Sequence, residues 1–399
     1  MCIRDRGSSP LEMYGRPGRS AATPGLCHTT WTRANGSHKL SCMTATQEPA
    51  STAPDPDAIS DALQNIGGVF RGSAVTLMIA LGYETGLFEA AAKGPSTSQG
   101  LADRAGLSER HVREWLGSVT TAGIVRYDPA DGSYTLPSEY AAVLTGNTAM
   151  NQAATAPMMV HLAHHIEAVT TTFETGGGVP YAEYRPHFTG VMDDVGRRKY
   201  DQLLLDAYLP LVDGTVEALE RGTALADLGC GTGHCLNLMA GRFPNSRFVG
   251  YDFAEDAIEL ARHEAAAQGL DNVRFEIRDV RDLPGDGSFG VITAFDAIHD
   301  QADPAGVLKA AHDALEPGGI FFMVDVNASS DLEKDLANPI APTVYAVSVL
   351  HCMQVSLALD GAGLGTAWGE RVACEMLREA GFEDLEVHGM EHDPFNLTY

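Results

Sequence analysis

Residues 223–240 read TALADLGCGTGHCLNLMA, and this stretch decides the fold. It starts as a buried strand, with no charge before Asp227. It then breaks into Gly229, Gly231 and Gly233, separated by single residues, and resumes with Leu236, Leu238 and Met239 as the start of a helix. Strand, glycine turn and helix together bring backbone N–H groups and a helix N-terminus up to a ligand. The glycines supply positive φ and leave no side chain where a ligand must touch the backbone. A dinucleotide turn requires G-x-G-x-x-G. From Gly229 the last position falls on His234, and from Gly231 on Leu236, so both registers fail. The pattern present is D-x-G-x-G-x-G.

Working outward, strands and helices alternate. Ser246–Asp252 (SRFVGYD) reads as a second buried strand ending in an acid, 25 residues after Asp227. An acid about 20 residues past such a turn can take both hydroxyls of a ribose. Ala254–Gln268 is an amphipathic helix, and Asn272–Arg278 a third strand running into Asp279 and Val280. Phe289–Phe295 is a fourth strand, Pro304–Leu315 a helix, and EPGGIFFMVDV (316–326) a glycine turn into a fifth strand. Trp368–Ala380 is a helix and Asp384–His388 a sixth strand. The alternation predicts an α/β fold with a Rossmann-like, doubly wound sheet. The closing PFNLTY reads as the start of a last strand that lacks residues to finish it.

The D-x-G-x-G-x-G turn, the acids at Asp252 and Asp279 and the LEPGG turn, in this order, resemble the class I S-adenosylmethionine (SAM) methyltransferases over about residues 211–399. The resemblance implies SAM as cofactor. It places cofactor contacts at Asp227, Gly229, Gly231, Gly233, Asp252, Phe253, Asp279, Val280 and Phe295. An acid at position 279 would reach the adenine amino group. Methyl transfer to oxygen needs a base, and an imidazole accepts a proton near neutral pH. In I-H-D, His299 matches the histidine of plant-type O-methyltransferases that deprotonates the substrate hydroxyl. Gln301 departs from that family, which commonly has Trp there. Asp300 is adjacent to His299, but the sequence does not give its direction.

Residues 59–145 precede this domain. Val112, Trp115, Leu116 and Val119 fall on one face of a helix Ser108–Ala122, after a helix Ser96–Ala105. Ile124–Tyr127 and Ser133–Leu136 then form a hairpin, which completes a winged helix. The long apolar pattern of 59–92 reads as two helices with a kink near Gly82. DNA reading is one use of such a domain. Residues 57–145, however, hold six basic and ten acidic side chains, a poor footprint for phosphates. The arrangement resembles the dimerisation domain of plant-type and bacterial small-molecule O-methyltransferases. That resemblance implies a homodimer formed through the N-terminal domain.

Residues 146–210 connect the two parts. His161, His164 and His165 fall at i, i+3 and i+4, a spacing that allows a metal but lacks an H-E-x-x-H pattern, and no metal is expected. Tyr181–Phe188 (YAEYRPHF) lines a substrate pocket or packs between the domains. The 327–367 insertion contains a run, Ile340–Leu359, without Asp, Glu, Lys or Arg. Its polar side chains, Thr343, Tyr345, Ser348, His351, Gln354 and Ser356, fit a ligand cavity better than lipid, so it reads as a lid over the methyl donor, with His351 and Cys352 as lining residues.

The 399 residues carry a net charge of −26, which disfavours nucleic acid and anionic membranes as partners. Residues 1–42 are basic, patternless, and open on MCIRDR, which resembles translated sequencing-adapter sequence. Residues 1–58 therefore read as a disordered or spurious extension, with Met43 as the start. Cys230, Cys235, Cys352 and Cys374 have no metal-type spacing, as befits a reducing cytoplasm. The reading is a cytoplasmic SAM-dependent methyltransferase acting on a small molecule, at a hydroxyl oxygen. The alternative from another class is a winged-helix transcriptional regulator with a SAM-sensing domain. An NAD oxidoreductase is disfavoured by the failed spacing.

Overall fold

Strand β3 (Ala224–Leu228) emerges from the quoted stretch and lies at the centre of a seven-stranded sheet. The computed structural model describes residues 54–391 and 393–399; the N-terminal extension read at 1–58 falls almost wholly outside them. In chain order the other strands of this sheet are β4 (Arg247–Asp252), β5 (Val273–Ile277), β6 (Phe289–Phe295), β7 (Leu315–Val326), β8 (His388–Met390) and β9 (Asp393–Thr398). Their spatial order is β5-β4-β3-β6-β7-β9-β8, parallel except for β9, which runs antiparallel to both neighbours. Chain order reverses at β3, so a crevice opens beyond its carboxyl end, where open α/β sheets bind ligands.

The central strands are apolar on both faces because helices cover both faces. Ala226, Leu228, Ile292, Ala294 and Met323 point into one core, with Val307, Leu308, Ala373 and Leu377. Leu225, Val291, Phe322 and Val324 point into the other, with Leu236, Met239, Ile258 and Ala261. The sixth predicted strand starts later than expected, at His388 rather than Asp384. Leu385 and Val387 pack on the core without joining the ladder, so their alternation marks burial rather than pairing. The last segment does form a strand, with β7 on one side and β8 on the other.

Helix α1 (Pro56–Glu84) is unbroken through Gly82. The expected kink is absent; the chain turns at Gly86, φ 68°, before α2 (Leu87–Ala91). Gly82 is small for another reason: a Cβ there would lie 2.4 Å from the Phe88 ring and 2.8 Å from Trp115. Then follow α3 (Ser98–Ala105), α4 (Glu109–Thr121) and the hairpin β1 (Arg126–Asp128) and β2 (Ser133–Thr135). A bridge from Ser96 to Tyr134 ties the hairpin to the start of α3, and Trp115 Nε1 donates to Met78 O at 2.8 Å. By length and composition, α1 is apolar enough to cross a bilayer. Its carboxyl half packs through Val75, Met78 and Ile79 on the winged-helix core.

Four helices make the connector: α6 (Thr155–Ala163), α7 (Ile166–Thr175), α8 (Tyr181–Tyr184) and α9 (His187–Leu203), after α5 (Ser138–Leu144). In the sheet domain, α10 (Thr215–Arg221) leads into β3, while α11 (His234–Arg242), α12 (Glu255–Gln268) and α13 (Pro304–Ala314) lie between β3 and β4, β4 and β5, and β6 and β7. The insertion holds α14 (Leu332–Asp335), α15 (Ala341–Val347), a π turn over Ser348–Cys352 and α16 (Met353–Leu357); α17 (Gly369–Ala380) follows. The uncharged run is therefore helical, as expected, but carries a wide turn in its middle. His351, Cys352, Gln354, Val355 and Ser356 are all buried.

The turn after β3 is tight because Gly229, Gly231 and Gly233 all have positive φ, 66°, 51° and 71°. A Cβ on Gly233 would also fall 2.5 Å from Phe275 and 2.6 Å from Ala261. Gly269, φ 68°, has open space at the same position. Gly233→Ala should therefore cost about 2–4 kcal/mol, strain plus clash, against about 1 kcal/mol for Gly269→Ala. Thermal midpoints of the two variants measure the difference; equal midpoints would refute the packing role of Gly233.

Candidate cofactor and acceptor site

The carboxyl ends of β3, β4, β6 and β7 all place an acid in or beside the crevice. Asp252 ends β4, and its carboxylate accepts from Gly231 N at 2.9 Å and Ala254 N at 2.8 Å. It thereby fixes the glycine turn and the start of α12 together. Burial raises its pKa, against the lowering effect of these two hydrogen bonds. A Cβ on Gly231 would meet nothing within 4 Å, so the open face of the turn is bare backbone. Phe253 presents its ring beside it, 54% exposed.

Asp227 lies beneath the turn, 2% exposed, and accepts from Thr293 Oγ1 at 2.7 Å. Burial pushes it up to about 7. Asp279 caps the turn Val280–Asp282 by accepting from Arg281 N, and pairs with the Arg281 guanidinium at 2.6 Å. To meet an adenine amine it must share that partner. Val280 is buried in the core, and Phe295 is half-buried with its ring 5.5 Å from Tyr200. Asp296 follows Phe295 with φ 50°, and its Oδ1 is buried without a hydrogen-bond partner. Burial pushes it up to about 6 despite nearby Lys199.

The connector is stapled to this turn. Arg197 on α9 donates to both carboxylate oxygens of Asp193 and of Glu264. Thr232 Oγ1 donates to Asp193 at 2.6 Å, while His234 Nε2 and Nδ1 lie 2.8 Å from Asp201 and 2.9 Å from Glu264. Just before α9, Tyr181 of α8 packs edge-on against Phe253 at 5.4 Å, and Arg185, which ends α8, pairs with Asp256 at 3.1 Å. The 181–188 segment therefore packs on the residues that follow β4.

His299, 3% exposed, follows β6. Its Nδ1–H donates to Asp325 Oδ1 at 2.8 Å, since a carboxylate only accepts. Asp325, at the end of β7 and fully buried, also accepts from Trp368 Nε1 at 3.0 Å. The orienting acid is thus Asp325, from the neighbouring strand. Asp300 lies on the other side, its Oδ1 3.4 Å from His299 Nε2. Burial alone would lower the imidazole pKa; the two carboxylates outweigh it and hold His299 well above its ordinary value. Beside it, burial pushes the Cys352 thiol up to about 11.

His351 stands next to them on the π turn of the insertion. It is 1% exposed and stacks on Phe188 at 4.0 Å, with the Tyr184 ring edge-on at 4.6 Å. Neither ring nitrogen has a hydrogen-bond partner, and burial pushes it down to about 4, so it is neutral. The Tyr184 hydroxyl donates to Leu350 O of the same turn at 2.7 Å. His161 joins this aromatic layer against His165, His187 and Phe188. Of the three connector histidines, His161 and His165 pack on aromatic rings while His164 is exposed, so they do not converge on one point. His351 and Cys352, read from the sequence as lining residues, are both buried, Cys352 close to His299 and Asp300; Asp325, Asp296, Tyr181 and Arg185 carried only weak signals. For Asp325 the available signal was an acid ending an apolar strand, as at Asp252.

Comparison with known proteins agrees with this geometry. Residues 219–363 match a family described as methyltransferase domain, and residues 73–146 one described as Rv2258c-like winged HTH domain. The ubiquinone biosynthesis O-methyltransferase of Neisseria meningitidis serogroup A / serotype 4A (strain DSM 15465 / Z2491) is 32% identical over 200 residues, 48% of this chain and 76% of that protein. The serogroup C (strain 053442) enzyme is 29% identical over the same shares. Among solved structures, the mitomycin 7-O-methyltransferase MmcR superposes with a TM-score of 0.62 at 19% identity, over 86% of this chain and 98% of that one. Human N-acetylserotonin methyltransferase in complex with SAM gives 0.60 at 16%, over 87% and 98%. The chain belongs to the class I SAM-dependent methyltransferases.

The residues fit that cofactor. The bare face at Gly231, the acid held at Asp252 and the exposed Phe253 ring offer contacts for a backbone-hugging chain, a ribose and a base. The strand-end acids suit a sulfonium cation. SAM supplies an electrophilic methyl group; the chain must bind it, aim the acceptor and exclude water. Asp252→Ala should weaken SAM by roughly 2–4 kcal/mol, because hydrogen bonds to a charged group are worth ~1.5–3 kcal/mol each and add imperfectly. Calorimetric titration of the folded variant measures this, and parent-like affinity would remove Asp252 from the site.

Proposed function

We propose that the chain methylates a hydroxyl oxygen of a small-molecule acceptor, with His299 as general base. The observation that carries this is the buried pair of His299 and Asp325 under the insertion. Asp325 holds Nδ1–H, which leaves Nε2 as the atom that takes the acceptor's proton. The resulting imidazolium would sit between two carboxylates, which stabilise it as it forms. The relatives named as O-methyltransferases support oxygen as the nucleophile.

The same reading extends to partners. Leu63, Ile66, Phe70, Leu77 and Leu81 lie on α1 at helical spacing, each 49–70% exposed. A second copy of the chain is the proposed cover, making the N-terminal domain a dimerisation element. On α4, Arg110 pairs with Glu114 at 2.6 Å and Arg113 with Glu109 at 2.5 Å. Neutralised arginines on the would-be recognition helix support a reading without nucleic acid or anionic membrane. A cytoplasmic location remains part of the proposal. Replacing both Leu63 and Phe70 by Glu should convert a dimer to monomer in analytical ultracentrifugation; a parent that sediments as monomer would refute the dimer.

His299→Ala should lose ~10²–10⁴ in turnover while keeping SAM affinity. Because the flanking acids hold the imidazole above its ordinary 6.5, it stays protonated to higher pH. The rising limb of the pH–rate profile should therefore lie above that value. Asp300→Asn removes one of those charges and should move the limb toward acid. A variant at position 299 with parent-like turnover and an unchanged limb would discard the base role and keep the methyltransferase.

A further inference from the structure

We propose that His299, Asp300 and Cys352 form a binding site for one zinc-class divalent cation, which takes the same Nε2 lone pair that His299 would use as base. The consequence for catalysis rests on the base role proposed above; the site itself does not. Among the described residues, this is where three ligand-type atoms, an imidazole nitrogen, a carboxylate oxygen and a thiol sulfur, lie within 4.8 Å of one another. His299 and Cys352 are buried, and Asp300 is half-buried. Bond lengths of about 2.0–2.3 Å at tetrahedral angles place zinc ligands roughly 3.3–3.5 Å apart. Nε2 of His299 and Oδ1 of Asp300 are 3.4 Å apart, and that oxygen is buried with no hydrogen-bond donor.

The surroundings are those of a metal-binding histidine. Asp325 holds the far nitrogen of His299, which fixes its tautomer and aims Nε2, and Trp368 in turn holds Asp325. Imidazole, carboxylate and thiolate together select zinc-like cations over magnesium or calcium, which prefer all-oxygen sites. On binding, Cys352 gives its thiol proton to solvent, and the thiolate and the Asp300 carboxylate then neutralise the two positive charges. Three protein ligands leave a fourth position open. His351, the residue before Cys352, borders the site with two unpartnered ring nitrogens. With the Nε2 lone pair donated to the cation, His299 accepts no proton, so the bound ion switches the base off.

The test uses the full chain, stripped with a chelator. Zinc is titrated in competition with a chromophoric chelator, and cobalt is added separately to read a thiolate-to-metal absorption band. One zinc per chain is expected, with the cobalt band lost in Cys352→Ser. Zinc affinity should fall at least ~10-fold in Cys352→Ser and in Asp300→Asn, and by ~10–100-fold in Asp325→Asn. SAM binding reports folding of each variant, and Asp300→Asn keeps the test decisive if Cys352→Ser fails to fold. Added zinc should inhibit the parent, with the half-inhibiting concentration raised at least tenfold in Cys352→Ser. No zinc binding, or binding unchanged in both ligand variants, overturns the site. Stoichiometric binding that leaves turnover unchanged or raised overturns the switch. The base role is judged apart, by metal-free His299→Ala: parent-like turnover there sinks the base and leaves the zinc measurement standing.

Discussion

Negative charge gathered at one edge of the sheet is the constraint on which this structure depends. Asp227, Asp252, Asp296 and Asp325 all sit at or next to the carboxyl ends of parallel strands, where the crevice opens. Burial pushes Asp227 up to about 7 and Asp296 up to about 6, and raises Asp252 as well. Few cations answer them: Lys199 near Asp296, Arg185 near Asp252 and His299 beside Asp325. A positively charged methyl donor therefore completes an electrostatic arrangement that the chain leaves open. The same burial that strains these acids would strengthen their attraction for a sulfonium, since charge interactions grow as water is excluded.

The connector answers a second demand, that of holding the turn still. Three glycines at positive φ make the turn tight but give it no side-chain packing of its own on its open side. Helix α9 supplies the missing rigidity through Arg197, Asp193 and Asp201, which engage Thr232, His234 and Glu264. The first residues of α9 meanwhile stack on His351 of the insertion. One helix thus contacts both the glycine turn and the buried aromatic layer of the insertion.

Most of the sheet was legible because a strand buried on both faces reads as an apolar run, and glycines mark its turn. The glycine turn, the acid at Asp252 and the base candidate His299 could all be placed by order along the chain. The winged helix was legible from periodicity, and its two helices and hairpin lie within a few residues of expectation. Gly82 misled, because sequence does not distinguish a glycine that bends a helix from one that lets an aromatic ring approach it. The edge strand at the carboxyl end misled for a related reason: Leu385 and Val387 alternate like a strand yet only pack. Asp325 was illegible as a partner of His299, since the two are 26 residues apart and meet only through the pairing of β6 with β7. The convergence of Cys352 on His299 was hidden in the same way, by an insertion whose path the sequence does not give.

The placement of His299 and Asp325 on adjacent strand ends has a consequence for how such a protein changes over time. Both the glycine turn and the His299–Asp325 pair are anchored to the sheet, whereas His351, Phe188 and Tyr184 come from the insertion and the connector. On the proposed reading, the apparatus for transfer is thus physically separate from the walls that would choose the acceptor. Substitutions, or even length changes, in residues 146–210 and 327–367 can reshape those walls while the sheet keeps its chemistry. A scaffold divided in this manner lends itself to new acceptors without reinventing the reaction.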